Sequence, residues 1–209
     1  LFRNDEGQFA DATAAAGVAG GIDEWHTAAG FFDMENDGDL DLLVGAYVRW
    51  SPEIDMAGDR QILGIPGRSY APPMSFQGTQ PLLFINRGNG VFDEGAREAG
   101  LHVEDSDQQA VGKTMAYFFT DIDQDHDTDI FVANDTTRNF LFVNDGAEHF
   151  TEQGIERGVA YDRMGRPTGA MGVDGGRLED NREALFVGNF AGEMSSAYVS
   201  SPSDTFFED

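Results

Sequence analysis

No cysteine occurs among the 209 residues, so disulfides play no part in this fold and the redox compartment is not written in the chain. Lysine is nearly as scarce, with Lys113 the single example, and Lys plus Arg number 13 against 38 Asp plus Glu. The resulting formal charge of −25 repels phosphate backbones and anionic headgroups, which sets aside nucleic acid and membrane surfaces as partners. Long apolar runs are missing as well: none approaches the roughly 18 residues that read as a membrane-crossing helix, so no membrane insertion is expected. An initiator Met and a signal-like start are absent, and the sequence is expected to be a mature chain or a fragment. What remains is a 40% hydrophobic content, which fits a globular protein with one or two domains and not a disordered chain.

The acidic residues are concentrated. Two nonapeptides, Asp33-Met34-Glu35-Asn36-Asp37-Gly38-Asp39-Leu40-Asp41 and Asp121-Ile122-Asp123-Gln124-Asp125-His126-Asp127-Thr128-Asp129, each put a carboxylate at positions 1, 3, 5, 7 and 9. An apolar run follows each, Leu42-Leu43-Val44 or Ile130-Phe131-Val132. Five like charges in nine residues repel one another unless a cation sits among them. Alternate side chains converge on one point only in a tightly curled loop, and clustered hard oxygens are what calcium takes, six to eight of them at about 2.3–2.6 Å. One such stretch reads equally well as a solvated acidic turn; two at matching places in a repeating unit point to two metal sites. Neither is an EF-hand, because the bidentate Glu required at position 12 is Val44 in one and Val132 in the other. The flanks are short, apolar and rich in Phe, Leu, Val and Tyr, so each loop is predicted to join two strands.

A longer period organises the rest. Phe9, Phe92 and Phe150 are each followed eight residues later by Gly17-Val18, Gly100-Leu101 and Gly158-Val159. Upstream of each stands an apolar stretch closed by Asn: Leu1-Phe2-Arg3-Asn4, Leu83-Phe84-Ile85-Asn86 and Leu141-Phe142-Val143-Asn144. Turn residues lie between, Asp5-Glu6-Gly7, Arg87-Gly88-Asn89-Gly90 and Asp145-Gly146-Ala147, and read as hairpin connections. A fourth copy starts at Tyr198-Val199 and closes with Phe206-Phe207-Glu208-Asp209. One unit is therefore strand, acidic loop, strand, connection, strand, hairpin, strand. That is the blade of a β-propeller, an all-β fold of four-stranded antiparallel blades. The expected layout is a half blade at 1–12 and blades at 26–95, 113–153 and 169–208. Rings of this kind need four to eight blades, so about three and a half leave two open flanks, to be completed by the rest of the chain or by another subunit.

Two segments break the pattern. The first blade carries an insertion over 49–80, with Pro52, Pro66, Pro72 and Pro73, which emerges on the face opposite the acidic loops and reads equally as a proline-stiffened cap or a binding loop. In the third unit the loop reads Gly175 to Ala184, with Arg177 where the first carboxylate belongs. No calcium is expected there, and Arg177 can supply an internal positive charge instead.

These residues resemble FG-GAP/VCBS-repeat proteins, with calcium loops similar to those of the integrin α-chain propeller. The chain as a whole is most similar to bacterial relatives of cartilage acidic protein, which often end in an ASPIC/UnbV domain; no such segment is visible. Tyr47-Val48-Arg49-Trp50-Ser51-Pro52-Glu53, Val132-Ala133-Asn134-Asp135-Thr136-Thr137, Gly172-Val173-Asp174 and Asn189-Phe190-Ala191-Gly192-Glu193 carry that likeness. The family pattern D-x-D-x-D-G-x-x-D implies side-chain ligands at positions 1, 3, 5 and 9 and a backbone carbonyl from position 7. Carried over, it implies Asp33, Glu35, Asp37, Asp39 and Asp41 in one loop and Asp121, Asp123, Asp125, Asp127 and Asp129 in the other. Glu35 reaches one methylene further than the usual residue. His126 replaces the turn glycine, and His is among the residues that tolerate a left-handed backbone.

Enzyme signatures are thin. Gly112-Lys113-Thr114 resembles the end of a phosphate-binding loop, but Asp107 stands where the first glycine belongs. The serines at 195, 196, 200, 201 and 203 form no nucleophile elbow, and His26, His102, His126 and His149 do not cluster. The sequence therefore reads as a calcium-binding extracellular, periplasmic or cell-surface propeller that presents loops to a protein or carbohydrate ligand and is not itself an enzyme. The alternative is the propeller domain of a secreted carbohydrate-active lyase or hydrolase, with its catalytic residues expected on the long insertion or in a part of the protein outside this sequence; a cleft holding an acid–base pair near Trp50 or Tyr70 would favour it.

Overall fold

The computed structural model describes residues 1–21, 24–58, 61, 64, 66–88, 90–201 and 206–209; Asn89 of the 87–90 turn, residues 59, 60, 62, 63 and 65 of the insertion, and 202–205 of the last unit lie outside them. Short apolar stretches bounded by turn residues become antiparallel strands throughout. The first pair, β1 (Phe2–Asp5) and β2 (Gln8–Asp11), turns through Glu6-Gly7, both at positive φ (51° and 92°), which suits a tight hairpin. One helical turn, α1 (Thr13–Ala16), leads on to three four-stranded sheets. The first sheet is β3 (Glu24–Phe32), β4 (Asp41–Arg49), β5 (Leu82–Asn86) and β6 (Phe92–Glu94). The second is β7 (Thr114–Thr120), β8 (Asp129–Asn134), β9 (Phe140–Asn144) and β10 (Phe150–Glu152). The third is β11 (Ala170–Arg177), β12 (Glu183–Asn189), β13 (Ser196–Ser200) and β14 (Phe207–Glu208). Within each sheet every strand pairs with its sequence neighbour.

Strand alternation gives each sheet two faces, and the hydrophobic cores lie between sheets. Leu43, Leu83 and Ile85 of the first sheet meet Ile130, Val132, Phe140 and Phe142 of the second. The other face of the second sheet, with Phe131, Leu141 and Val143, meets Leu185, Val187 and Tyr198 of the third. Leu42 and Phe84, on the remaining face of the first sheet, pack with Ala16 and Val18. The first strands lie side by side, β7 against both β3 and β11, and Phe32 stacks on Phe119 at 5.0 Å. The far face of the third sheet is open: Phe186 is 53% exposed, whereas Leu43 and Phe131 at the matching places are 1% and 0% exposed.

The recurring Phe–Gly spacing has a physical basis. Gly100 and Gly158 sit at φ 81° and 80°, and a Cβ on either would lie 2.4 or 2.5 Å from the carbonyl oxygen of Phe150 or Phe207 in the outer strand of the next sheet. Phe150 N donates to Ala99 O at 2.8 Å and Phe207 N to Arg157 O at 2.7 Å, so the linker before each sheet is clamped to that sheet's last strand. Only glycine fits a left-handed turn pressed this close to a backbone carbonyl.

The insertion is tied down where it leaves the first sheet and where it returns. Ser51 caps α2 (Pro52–Ala57), accepting from Ile54 N at 3.2 Å, with Pro52 at the first helical position. Arg49 N donates to Gln77 O and Thr79 N to Gly112 O, both at 2.9 Å, and Lys113 Nζ donates to Pro73 O at 2.8 Å.

One expectation of the third unit needs correction. Residues 175–184 are not all loop: Gly175 pairs with Leu185, Gly176 with Ala184 and Arg177 with Glu183, leaving a turn at 178–182 closed by Leu178 N to Arg182 O at 2.8 Å. The Arg177 Nε to Glu183 Oε1 hydrogen bond at 2.5 Å supplies the local charge balance that lets the strands run on. Arg177 thus neutralises a carboxylate of its own hairpin.

Candidate metal centre

Both acidic loops hang from the same two anchors. The second residue is a core side chain: Met34 is buried between the first and second sheets, Ile122 between the second and third. The ninth is a fully buried carboxylate. Asp41 accepts from Met34 N at 3.0 Å and Asn86 N at 2.8 Å; Asp129 accepts from Ile122 N at 2.7 Å and Asn144 N at 2.8 Å. The asparagines close the loops from another strand: Asn86 Nδ2 donates to Leu40 O at 3.1 Å, and Asn144 Nδ2 to Thr128 O at 3.3 Å and Met34 O at 2.8 Å. The Asn that ends each apolar stretch in the sequence is therefore a second clamp on the loop, a role its position alone did not reveal.

Position 1 curls the chain. Asp33 accepts from Asp37 N at 3.1 Å and Gly38 N at 2.9 Å, and Asp121 accepts from His126 N at 3.2 Å. Position 5 accepts from position 7, Asp37 from Asp39 N at 2.8 Å and Asp125 from Asp127 N at 2.9 Å. His126 holds the left-handed conformation (φ 79°) that Gly38 holds in the first loop (φ 92°). The side chain of Asp127 turns to the neighbouring loop, where its Oδ1 accepts from Asn36 Nδ2 at 2.7 Å.

The loops differ in what they gather. Oxygens of Asp121, Asp123 and Asp129 lie within 4.8 Å of one another, a group able to hold a metal ion; among the described residues the carboxylates of loop 33–41 form no such group. Asp121 Oδ1 and Asp123 Oδ1 are buried with no hydrogen-bond partner, while Arg157 Nη2 stands 3.7 Å from Asp123 Oδ2. Burial, then the negative charges of Asp123 and Asp125, push Asp129 up to about 7 against the two backbone donors that favour its ionised form. Burial and the charge of Asp125 likewise raise Asp123. In the first loop Glu35 Oε2 is buried without a donor, and burial with Asp41 beside it pushes Glu35 up to about 7. Burial also raises Asp41. Buried acceptors without donors, crowded by like charge, are the donor set of a hard cation.

No protein-family model and no curated protein matches the chain. What the structure itself shows is an all-β chain of repeated four-stranded antiparallel sheets.

Proposed function

We propose that this chain is a calcium-binding β-propeller module of the FG-GAP/VCBS type that acts by presenting loops to a protein or carbohydrate partner. Loops 33–41 and 121–129 would each take one calcium ion, through Asp33, Glu35, Asp37, Asp39 and Asp41 and through Asp121, Asp123, Asp125, Asp127 and Asp129. The observation that carries the reading is the convergence of Asp121, Asp123 and Asp129, two of them with buried oxygens lacking any donor. When bound, the ion would supply positive charge beyond that of the Arg157 guanidinium, which stands 3.7 Å from Asp123 Oδ2. Asn36, bonded to Asp127, and Asn144, bonded to Met34, tie the two loops together, so ordering one braces the other. Propeller architecture is supported by sheets that stack in chain order with their first strands adjacent, and the open face bearing Phe186 suits a further blade from its own polypeptide or another subunit.

Extracellular calcium modules bind at about 10⁻⁴–10⁻³ M, which suits a secreted, periplasmic or surface setting. The hydrolase form of the alternative calls for two carboxylates flanking a substrate. Among the described residues the cleft near Trp50 and Tyr70 is lined by one carboxylate, Asp55, ion-paired to Arg68 at 3.0 Å, and this supports the binding reading. Isothermal titration with calcium, followed by chelation during thermal melting, tests the proposal. Two bound ions and a melting temperature that falls in chelator are expected; no heat of binding and an unchanged melting curve would overturn it.

A further inference from the structure

At the end of the molecule opposite the acidic loops, the insertion and the first sheet enclose an aromatic cleft of about 420 Å³. Trp25 from β3, Tyr47 and Trp50 from β4 and its end, and Tyr70 and Phe76 from the insertion form its walls. Trp25 packs edge-on to Tyr47 at 5.8 Å and to Trp50 at 6.3 Å. Buried polar groups beneath hold two walls in place. The Tyr47 hydroxyl donates to Asp135, and Lys113, the one lysine of the chain, donates to the carbonyl of Pro73, which also lines the cleft. Asp135 and Lys113 are both buried. The open faces are large: Trp25 is 52% exposed, Trp50 40% and Tyr70 93%.

The chemistry of the lining selects the ligand. Sugars need several hydrogen-bonding side chains for their hydroxyls, and this lining is mostly aromatic and apolar. Aromatic faces carry negative potential and attract cations. Among the described residues no cation fills them: the guanidinium placed over a ring is Arg138, on Phe140. A net charge of −25 draws cations to the surface. A bare ammonium holds its water strongly, and among the described residues the cleft has no free carboxylate to replace that water, because Asp55 is held by Arg68. An alkylated ammonium spreads its charge over methyl groups that need no hydrogen bonds.

We infer that the cleft formed by Trp25, Tyr47, Trp50, Tyr70 and Phe76 binds a quaternary ammonium group, carried by a free small molecule of the choline type or by a trimethylated lysine of a protein partner. This site is separate from the acidic loops and stands whether or not they bind calcium.

The two tryptophans of the chain both line this cleft, so intrinsic tryptophan emission reports on it alone. The intact protein would be titrated with choline, with its uncharged isostere 3,3-dimethylbutan-1-ol, with glucose, and with a trimethyllysine peptide beside its unmodified counterpart. A saturable change with choline, about tenfold weaker with the isostere, is expected. Tyr70→Ala should weaken choline about tenfold and keep the wild-type melting curve, since Tyr70 is exposed. Trp50→Ala should weaken it at least as much. Tighter binding of the trimethyllysine peptide than of choline assigns a protein partner, and equal binding assigns the free cation. Equal binding of choline and its isostere, equal binding of the two peptides, saturation by glucose in place of choline, or no saturable change up to about 10 mM choline would each overturn the inference.

Discussion

In loop 33–41 and loop 121–129 the ninth carboxylate is fixed in the same way, by the backbone N–H of the second residue and by that of an asparagine at the end of the third strand. The first carboxylate curls both loops by accepting from residues four or five positions on. Yet three carboxylates converge only in the second. The difference lies at position 3. Asp123 is short and reaches toward Asp121 and Asp129, while Glu35 is one methylene longer and is crowded by Asp41. Positions 1, 2 and 9 thus build both loops, and position 3 is where the loop with three converging carboxylates differs from the other.

The largest expected effect tests the shared frame. Asp41→Ala and Asp129→Ala each leave two buried N–H groups without an acceptor, at about 1–3 kcal/mol per group. Each variant should lose about 2–6 kcal/mol in urea unfolding of the metal-free protein, with similar losses in the two loops. A loss under about 1 kcal/mol in either would break the equivalence.

Next comes the ion. Calcium at a hundredfold excess over its dissociation constant stabilises a site by about 2.7 kcal/mol. Asp123→Ala should remove the second site's share of that gain and leave metal-free stability within about 1 kcal/mol of wild type, because Asp123 Oδ1 has no donor to lose and Oδ2 loses only the 3.7 Å pair with Arg157. Retention of two bound ions in this variant would show that Asp123 is not a ligand.

Glu35→Asp makes the first loop like the second and should tighten its calcium affinity about tenfold, roughly 1.4 kcal/mol. An unchanged isotherm would mean that position 3 is not what separates the loops.

The last effect is in pH. Without metal, Asp129 and Glu35 have folded values raised to about 7, so the folded state binds more protons than the unfolded one between their ordinary values near 4 and about 7. Their contribution to stability is full below that window and is lost as pH rises through about 7. Calcium binds the ionised form, so its presence should reverse the slope. Melting temperatures from pH 5 to 8, with and without calcium, would check this, at about 2–4 °C per kcal/mol for a chain of this size. A metal-free melting temperature that rises with pH would contradict the burial of Asp129.

Much of this architecture is written locally. Alternating apolar residues, the Glu6-Gly7 turn and the spaced acidic residues specify strands, hairpins and loops through interactions only a few positions apart, and repetition at a period near 58 residues makes them legible. The third unit misled because Gly175, Gly176 and Ala184 carry no signal of their own. Whether they form a loop or continue a ladder depends on the ion pair between Arg177 and Glu183 and on Ser200, whose hydroxyl accepts from Glu183 N at 2.9 Å. Which of the two acidic loops brings three carboxylates together, and the walls of the aromatic cleft, were also beyond sequence. They rest on Asn86 and Asn144 reaching back to Asp41 and Asp129, and on Lys113 holding Pro73 and Asp135 holding Tyr47. The sequence by itself determined which short segments form and where charge gathers. Only the tertiary structure decided which carboxylates and which rings meet, because those meetings are set by hydrogen bonds between strands far apart in the chain.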